Sequence, residues 1–153
     1  MEIERKFLTK ELPFDITAYP GKAITQAYLS FSPTIRIRRS NADYILTVKG
    51  KGHLAREEFE LPLSEEEYNR LSLKTDGMPV CKKRYLVPIE ENLTAEVDIY
   101  EGELQGLMTT EVEFSSMEAA EKFVAPAWFG RDVSEEKAYK NTSLSLYGIP
   151  KEL

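Results

Sequence analysis

The sequence has few of the residues on which common redox and hydrolytic sites depend. Its 153 residues include one cysteine, Cys81, and one histidine, His53. A lone cysteine cannot form an internal disulfide, and such low usage is typical of a reducing compartment. We expect His53 to lie in an exposed loop, so the sequence indicates neither a Ser-His-Asp arrangement nor a histidine-rich metal site.

Long apolar segments and a positive net charge are missing as well. No segment approaches the roughly 18 apolar residues of a membrane span, and the charged N-terminus lacks the apolar core of a signal peptide. The net charge of −6 argues against a nucleic-acid coat or an anionic membrane as partner, but not against a polyanion in a local basic pocket. We therefore expect a cytoplasmic protein without nucleic-acid or membrane partners, and the sequence leaves a homodimer open.

The residues that are present form short alternating segments of ordinary globular composition. Charged residues make up 30% and hydrophobic residues 42%, and the length suits one domain spanning residues 1–153. Alternation and turn residues predict eight strands, over 2–8, 23–31, 34–40, 43–50, 56–63, 80–88, 93–102 and 108–114. Ser64 and Ser116 are predicted to cap two helices. A short helix is predicted over 134–140 and a final turn over 142–147.

Charged side chains occupy one parity of nearly every predicted strand. Alternate side chains of a strand point to opposite faces, so Glu2, Glu4 and Lys6 share one face. Seven of the eight strands follow this pattern, through Glu2, Glu4 and Lys6; Arg36 and Arg38; Lys49; Arg56, Glu58 and Glu60; Lys82 and Arg84; Glu96 and Asp98; Glu111 and Glu113. The remaining strand carries Gln26 and Tyr28 instead.

Two arrangements account for this alternation. A sandwich would turn the charged faces to water, whereas a barrel would turn them inward and present an apolar outer wall. Like charges cluster within strands, as ExE, RxR, KxR and ExD, although solvated sheet faces usually mix signs. The helices also carry apolar stripes that need a partner. We therefore predict a mainly β (α+β) fold, a closed eight-stranded antiparallel barrel with a charged interior and short helices outside.

A charged interior of this kind is expected to be a binding site. It would hold eight carboxylates and seven cations, and burying so many charges is very costly unless they pair or stay hydrated. Arg and Lys facing one another suit a compact, multiply charged oxyanion, with bidentate contacts from Arg to phosphate. Carboxylate clusters suit Mg²⁺ or Mn²⁺, which also bind phosphate oxygens. The lining therefore indicates a metal-bound oligophosphate.

Several motifs resemble those of a known family. In order and spacing, EIERKF, IRIRR, TVKG, KKRY, EVDIYEGELQGL and EVEF resemble the CYTH family of triphosphate tunnel metalloenzymes, specifically its small bacterial members. The resemblance covers nearly the whole chain. It implies an eight-stranded antiparallel tunnel with a charged lining. Members of the family hydrolyse inorganic triphosphate, nucleoside triphosphates or thiamine triphosphate, and some cyclise ATP.

The resemblance also implies roles for individual residues. Glu2, Glu4, Glu111 and Glu113 would bind metal, with help from Asp98, and the phosphates would be bound by Lys6, Arg36, Arg38, Lys49 and Arg84. Lys82 and Tyr28 match a Lys–Tyr pair that would activate the attacking water, and the helix near 135–140 would plug one end of the tunnel. Arg56, Glu58, Glu60 and Glu96 have the inward parity without an assigned role. Lys83, next to Lys82, leaves the register of that strand open by one residue.

The expected activity is metal-dependent hydrolysis of a triphosphate to diphosphate and orthophosphate. Inorganic tripolyphosphate is the first substrate to consider and a nucleoside triphosphate the second, with one or two Mg²⁺ or Mn²⁺ ions as cofactor. One alternative is a class IV type adenylate cyclase, which would need a pocket for adenine and ribose. Another is a non-catalytic domain that binds polyphosphate or nucleotide.

Overall fold

The computed structural model describes residues 2–51, 55–90 and 92–151, and His53 lies outside them. The described residues form strands β1 (Glu2–Leu8), β2 (Gly21–Phe31), β3 (Thr34–Ser40), β4 (Asp43–Lys49), β5 (Ala55–Arg56), β6 (Glu58–Leu63), β7 (Asp76–Glu90), β8 (Leu93–Glu101) and β9 (Met108–Glu113). They also form helices α1 (Glu65–Ser72), α2 (Met117–Lys122) and α3 (Asn141–Tyr147). Three single turns of 3₁₀ helix cover Ile16–Ala18, Gly102–Leu104 and Lys137–Tyr139.

One curled antiparallel sheet contains all of these strands. Its order is β5-β1-β9-β8-β7-β2-β3-β4-β6, with eight full strands and the two-residue strand β5. The mainly β antiparallel prediction is confirmed, but the prediction of a closed barrel is wrong. The strand predicted over 56–63 divides at Glu57 into β5, which pairs with β1, and β6, which pairs with β4. Because only Glu57 separates β5 from β6, the chain has no room for a turn that would pair these two edge strands, and the sheet stays open as a half-barrel.

One ion pair joins β4 and β1, which come together at the opening of the half-barrel without pairing through their backbones. Lys49 Nζ of β4 lies 3.4 Å from Glu2 Oε1 of β1 and 3.9 Å from Glu58 Oε1 of β6. Arg56 Nε of β5 lies 3.5 Å from the same Glu2 oxygen. The pairs of Lys49 with Glu58 and of Arg56 with Glu2 lie within paired strands, so Lys49–Glu2 is the contact that crosses the seam between β4 and β1.

Helices α1 and α2 cover the apolar outer face of the sheet, as the barrel arrangement predicted. Ser64 and Glu67 form a reciprocal capping box at the start of α1, and Tyr68 packs with Ile37 and its neighbours on the sheet. Ala120 of α2 packs against a cluster that includes Phe7, Val112 and Phe114. The predicted apolar stripe of α2 is shorter than expected. Because α2 ends at Lys122, Val124 lies beyond it and is 86% exposed, and Met117 is 37% exposed.

The C-terminal segment closes one end of the half-barrel, but not with the helix predicted over 134–140. That region contains only the 3₁₀ turn Lys137–Tyr139, and the longer helix α3 follows it. Tyr139 and Leu144 pack with Val80, Tyr100 and other apolar side chains of the sheet. No helix within the described ranges is long and apolar enough to cross a membrane.

Burial of Leu144 should make a large contribution to stability. Leu144 is 0% exposed and Leu73 is 87% exposed. We expect Leu144→Ala to lower the free energy of unfolding by about 2–5 kcal/mol, because it removes packed methyl groups and leaves a cavity. The matched control Leu73→Ala should change it by less than about 0.5 kcal/mol. Urea unfolding measures both, and equal losses would contradict the packing of α3.

Candidate active site

The inner face of the sheet and the C-terminal segment enclose a charged cavity of about 1100 Å³. The predicted inward orientation is confirmed for thirteen of the fifteen charged residues. These are Glu2, Glu4, Lys6, Arg36, Arg38, Lys49, Arg56, Glu58, Glu60, Arg84, Glu96, Glu111 and Glu113. The sandwich alternative, which would place them on the exterior, is wrong. Lys82 and Asp98 also point inward but are fully buried behind the described lining.

Carboxylates concentrate on one wall of the cavity, formed by β1, β9 and β8. Strand pairing places Glu4 opposite Glu113 and Lys6 opposite Glu111. It also places Glu96 opposite Glu111. Lys6 Nζ lies 3.8 Å from Glu111 Oε1 and donates to the backbone oxygen of Tyr139 at 2.7 Å. We call this surface, from Glu2, Glu4, Glu96, Glu111 and Glu113, the acidic wall.

Guanidinium groups concentrate on the facing wall, formed by β3 and β4. Arg38 donates from Nε and Nη2 to Gln26 Oε1 at 3.1 and 2.8 Å. Burial and the charges of Arg36 and Arg84 lower the pKa of Arg38 to about 10, which leaves it charged at neutral pH. Burial also lowers the pKa of Lys49. We call Arg36, Arg38 and Lys49 the basic wall.

Arg36 is the residue of the basic wall that lacks compensation. It is 5% exposed, and its Nη2 donates to Thr47 Oγ1 at 3.2 Å. Its buried Nε has no hydrogen-bond partner among the described residues. Because leaving a buried charged donor unpaired is costly, this nitrogen indicates a place for an anion.

Arg84 of β7 is held by three carboxylates of β8 and β9. Its Nε and Nη2 donate to Asp98 Oδ1 and Oδ2 at 2.7 and 2.9 Å. The same guanidinium reaches Glu96 Oε2 at 3.5 Å and Glu111 Oε2 at 3.4 Å. Although burial acts in the opposite direction, Arg84 and Lys6 hold the pKa of Glu111 at about 2. Glu111 is therefore ionised at neutral pH.

Lys82 and Tyr28 do not form a pair in this structure. Lys82 is in register with Ile24 of β2, four positions before Tyr28, and its Nζ lies 2.7 Å from Asp98 Oδ2. The open question of register is answered, since Lys82 is buried and Lys83 is exposed. Tyr28 lines the cavity, and its hydroxyl oxygen accepts a hydrogen bond from Gln26 Nε2 at 3.0 Å. Burial raises the pKa of Tyr28, which keeps it protonated at neutral pH.

The acidic wall fits a divalent cation by the chemistry of its donors. Burial and the charges of Glu111 and Glu2 raise the pKa of Glu4 to about 8. A carboxyl kept neutral by other carboxylates lies where a cation would be stabilised. No three acidic, histidine or cysteine side chains of the described chain are already grouped around a metal-sized space. Mg²⁺ is usually held by one or two protein carboxylates together with substrate phosphates and waters.

Comparison with known proteins assigns the chain to a family. The CYTH domain family model matches residues 1–145. This chain belongs to the CYTH domain family. An inorganic triphosphatase of Nitrosomonas europaea is 39% identical over 150 residues, covering 95% of this chain and 97% of that protein. An inorganic triphosphatase of Acetivibrio thermocellus is 33% identical over 147 residues, covering 94% and 92%. A solved inorganic triphosphatase structure has a TM-score of 0.71 at 34% identity, with 95% of both chains covered.

Several residues that line the cavity were not predicted from the sequence. They are Lys22, Lys51, Ser134, Lys140, Asn141 and Thr142. Lys22 has the inward parity of β2, but the predicted strand began after it. Lys51 and the C-terminal residues lie outside strands, so alternation carries no signal for them. Lys140 approaches Arg56 and Lys6, and burial with these charges lowers its pKa.

Glu4 should make the stability of the metal-free protein depend on pH. The folded chain holds this proton up to about pH 8, whereas the unfolded chain releases it near pH 4.5, so the carboxyl costs stability as pH rises between these values. We expect Glu4→Gln, in the presence of chelator, to match wild type at pH 5 and to be more stable at pH 8 in urea unfolding. Glu103→Gln, at an exposed position, is the control. An unchanged or lower stability of Glu4→Gln at pH 8 would contradict the burial of this carboxyl.

Proposed function

We propose that this protein hydrolyses inorganic tripolyphosphate to diphosphate and orthophosphate with the help of Mg²⁺ or Mn²⁺. The observation that carries the proposal is the cavity itself, in which an acidic wall faces a basic wall. Either wall alone would indicate a cation site or an anion site. The two together suit a multiply charged anion that arrives with a cation.

The basic wall, together with Arg84, would bind the phosphates. Arg36 has an unpartnered buried Nε, Arg38 is held by Gln26, and Arg84 is held by Asp98. Guanidinium groups fixed in this way need little reorganisation to contact phosphate oxygens, and they can do so in a bidentate manner. Lys6 and Lys49 add charge at the two sides of the cavity. This lining would neutralise the charge that spreads over the transferred phosphoryl group.

The acidic wall would hold the metal through Glu2, Glu4, Glu111 and Glu113. A divalent cation there supplies charge that neutralises and polarises phosphate oxygens. The resemblance adds Asp98 to these ligands, but both Asp98 oxygens accept hydrogen bonds from Arg84, Oδ2 also lies 2.7 Å from Lys82 Nζ, and Asp98 is not among the described residues that line the cavity.

Activation of the attacking water is assigned by the resemblance to Lys82 and Tyr28. Of the two, Tyr28 is the one that lines the cavity. Since its oxygen accepts from Gln26, its hydroxyl hydrogen can be donated to a phosphate or to water. Tyr28 would therefore orient the reactants.

The composition of the lining favours an inorganic substrate over a nucleotide. The described lining contains nine cationic and seven carboxylate side chains, but Tyr28, Phe31, Pro33 and Val133 are its only apolar or aromatic ones. A nucleobase usually needs a larger apolar or stacking surface. The names of the two curated relatives support the same choice.

A phosphate-release panel tests the substrate. Tripolyphosphate, ATP, thiamine triphosphate and pyrophosphate are each incubated with Mg²⁺ or with Mn²⁺. We expect orthophosphate release to be fastest from tripolyphosphate and to stop with chelator. Formation of cyclic AMP and pyrophosphate from ATP would indicate a cyclase instead. Tight binding of tripolyphosphate without release would indicate a non-catalytic binder.

Removing one carboxylate of the acidic wall should abolish metal-dependent turnover. We expect Glu113→Gln to lower kcat by at least about 100-fold while the thermal midpoint stays close to that of wild type, because the lost oxygen would contact the metal. Glu103→Gln, exposed and away from the cavity lining, is the control. Full activity of Glu113→Gln at all metal concentrations would refute this ligand.

Arg36 should contribute mainly to substrate binding. We expect Arg36→Met to raise KM for tripolyphosphate by about 10- to 100-fold, the loss typical of a charged hydrogen bond. Arg39→Met is the matched control, since Arg39 lies on the outer face, where its guanidinium is 5.7 Å from the centre of the Tyr44 ring. Equal kinetics of the two variants would show that the basic wall does not bind the substrate.

A further inference from the structure

Lys82 and Asp98 form an ion pair that is sealed from the substrate space. Both side chains are 0% exposed, and Lys82 Nζ lies 2.7 Å from Asp98 Oδ2. Neither belongs to the described residues that line the cavity. A group in this position can influence the reaction only through the residues that it contacts.

Asp98 contacts a residue that does line the cavity. It accepts two hydrogen bonds from Arg84, at 2.7 and 2.9 Å, in the forked geometry that fixes the plane of a guanidinium. The rest of the Arg84 group points toward Glu96 and Glu111, which also line the cavity. Although burial acts the other way, Arg84 and Lys82 hold the pKa of Asp98 well below its usual range. Asp98 is therefore a permanent anion between two cations.

The other side of Lys82 is closed by the C-terminal segment. Its Nζ lies 5.4 Å from the centre of the Tyr100 ring. The Tyr100 hydroxyl donates to Asn141 Oδ1, at the start of α3, at 3.0 Å. Tyr100 also packs with Leu144 and other apolar side chains. Lys82 Nζ has no hydrogen-bond partner of suitable geometry among the described residues, so the ammonium is surrounded by the Asp98 carboxylate, the Tyr100 ring and apolar side chains.

This position does not suit a general base. A base must lie within hydrogen-bonding distance of the proton it takes, directly or through one water. Burial lowers the pKa of Lys82 to about 7, a value that would suit a base, but the ammonium faces Asp98. Because Lys82 does not line the described cavity, its position does not support proton transfer from water in the cavity, whatever its pKa.

We propose that Lys82 and Asp98 are positioning residues, which hold the Arg84 guanidinium toward the substrate phosphates, and that Lys82 does not take the proton of the attacking water. The proposal rests on the proposed function, since Arg84 is taken to bind tripolyphosphate. When protonated, Lys82 offsets the charge of Asp98, so that Asp98 neutralises less of the Arg84 charge; Glu96 and Glu111 are the other carboxylates that Arg84 contacts. Without Lys82, Asp98 neutralises Arg84 alone, and the attraction of Arg84 for an anion weakens.

The test compares Lys82→Met and Lys82→Arg, with Lys83→Met as control because Lys83 is exposed on the opposite face. We expect Lys82→Met to raise KM for tripolyphosphate about tenfold or more, with kcat within about threefold and the pH profile of kcat unchanged. Lys82→Arg should recover most of the KM loss, because it restores the positive charge. Arginine cannot act as a base near neutral pH, so such recovery separates the two roles. Lys83→Met should match wild type.

The opposite pattern overturns the proposal. A loss of kcat of about 100-fold or more in both Lys82 variants, with unchanged KM and a pH profile that has lost one limb, is the signature of a base. Arginine is larger than lysine in this closed site, so Lys82→Arg counts only if its thermal midpoint stays close to that of wild type. If Lys82→Arg is destabilised, the separate effects of Lys82→Met on KM and on kcat decide between a positioning residue and a base.

A measurement on the wild-type protein covers the case in which neither variant folds. Acylation of lysines with mass-spectrometric readout should modify Lys6 and Lys49, protect both with tripolyphosphate present, and leave Lys82 unmodified. Rapid modification of Lys82 that tripolyphosphate prevents would overturn the proposal. Failure of the proposed function is seen separately, as absence of orthophosphate release by wild type.

Discussion

Burial of like charges on the same strands is the constraint on which the rest of the structure depends. A sheet that turns its ionised parity inward must pair those charges, hydrate them or bind ions. Arg84 pairs with Asp98, and Lys49 with Glu2. What pairing leaves over, an uncompensated Arg36 Nε and a Glu4 that holds its proton, lies on opposite walls of the cavity. These two groups lie where an anion and a cation would compensate them.

The same orientation accounts for the arrangement of the helices. Once the charged parity faces inward, the apolar parity forms the outer wall, and α1 and α2 bury it with Tyr68 and Ala120. One end of the half-barrel is covered differently, by the C-terminal segment. It is closed by Tyr139, Leu144 and Tyr100, an apolar cluster that borders the ionised site. Apolar and ionic interactions are thus separated in two ways. Along the sheet they lie on opposite faces, and at the closed end the apolar cluster lies beside the charged cavity.

Strand parity made much of the site predictable, because a strand repeats every two residues. Alternation placed Arg36, Glu58 and Glu113 on the charged parity of their strands, clustering of like charges assigned that parity to the interior, and all three line the cavity. Alternation does not report how deep an inward residue lies, so Lys82 and Asp98 were not distinguished from the lining. It also carries no information about loops, which is why Lys140 was missed. The division of the strand at Glu57 depends on how far apart β1 and β4 lie, a tertiary distance that local sequence does not encode.

The seam beside Glu57 joins β1 and β4 through side chains and not through a backbone ladder. Backbone ladders fix strand spacing near 4.8 Å, whereas ion pairs tolerate longer separations and exchange partners. Lys49 forms an ion pair with Glu2 across this seam, and it also lines the cavity. An anion that engages Lys49 competes with Glu2 for it, so occupancy of the interior and closure of the seam are linked equilibria. Salt weakens the Lys49–Glu2 ion pair and the contact between Lys49 and an anion, so it would shift both equilibria.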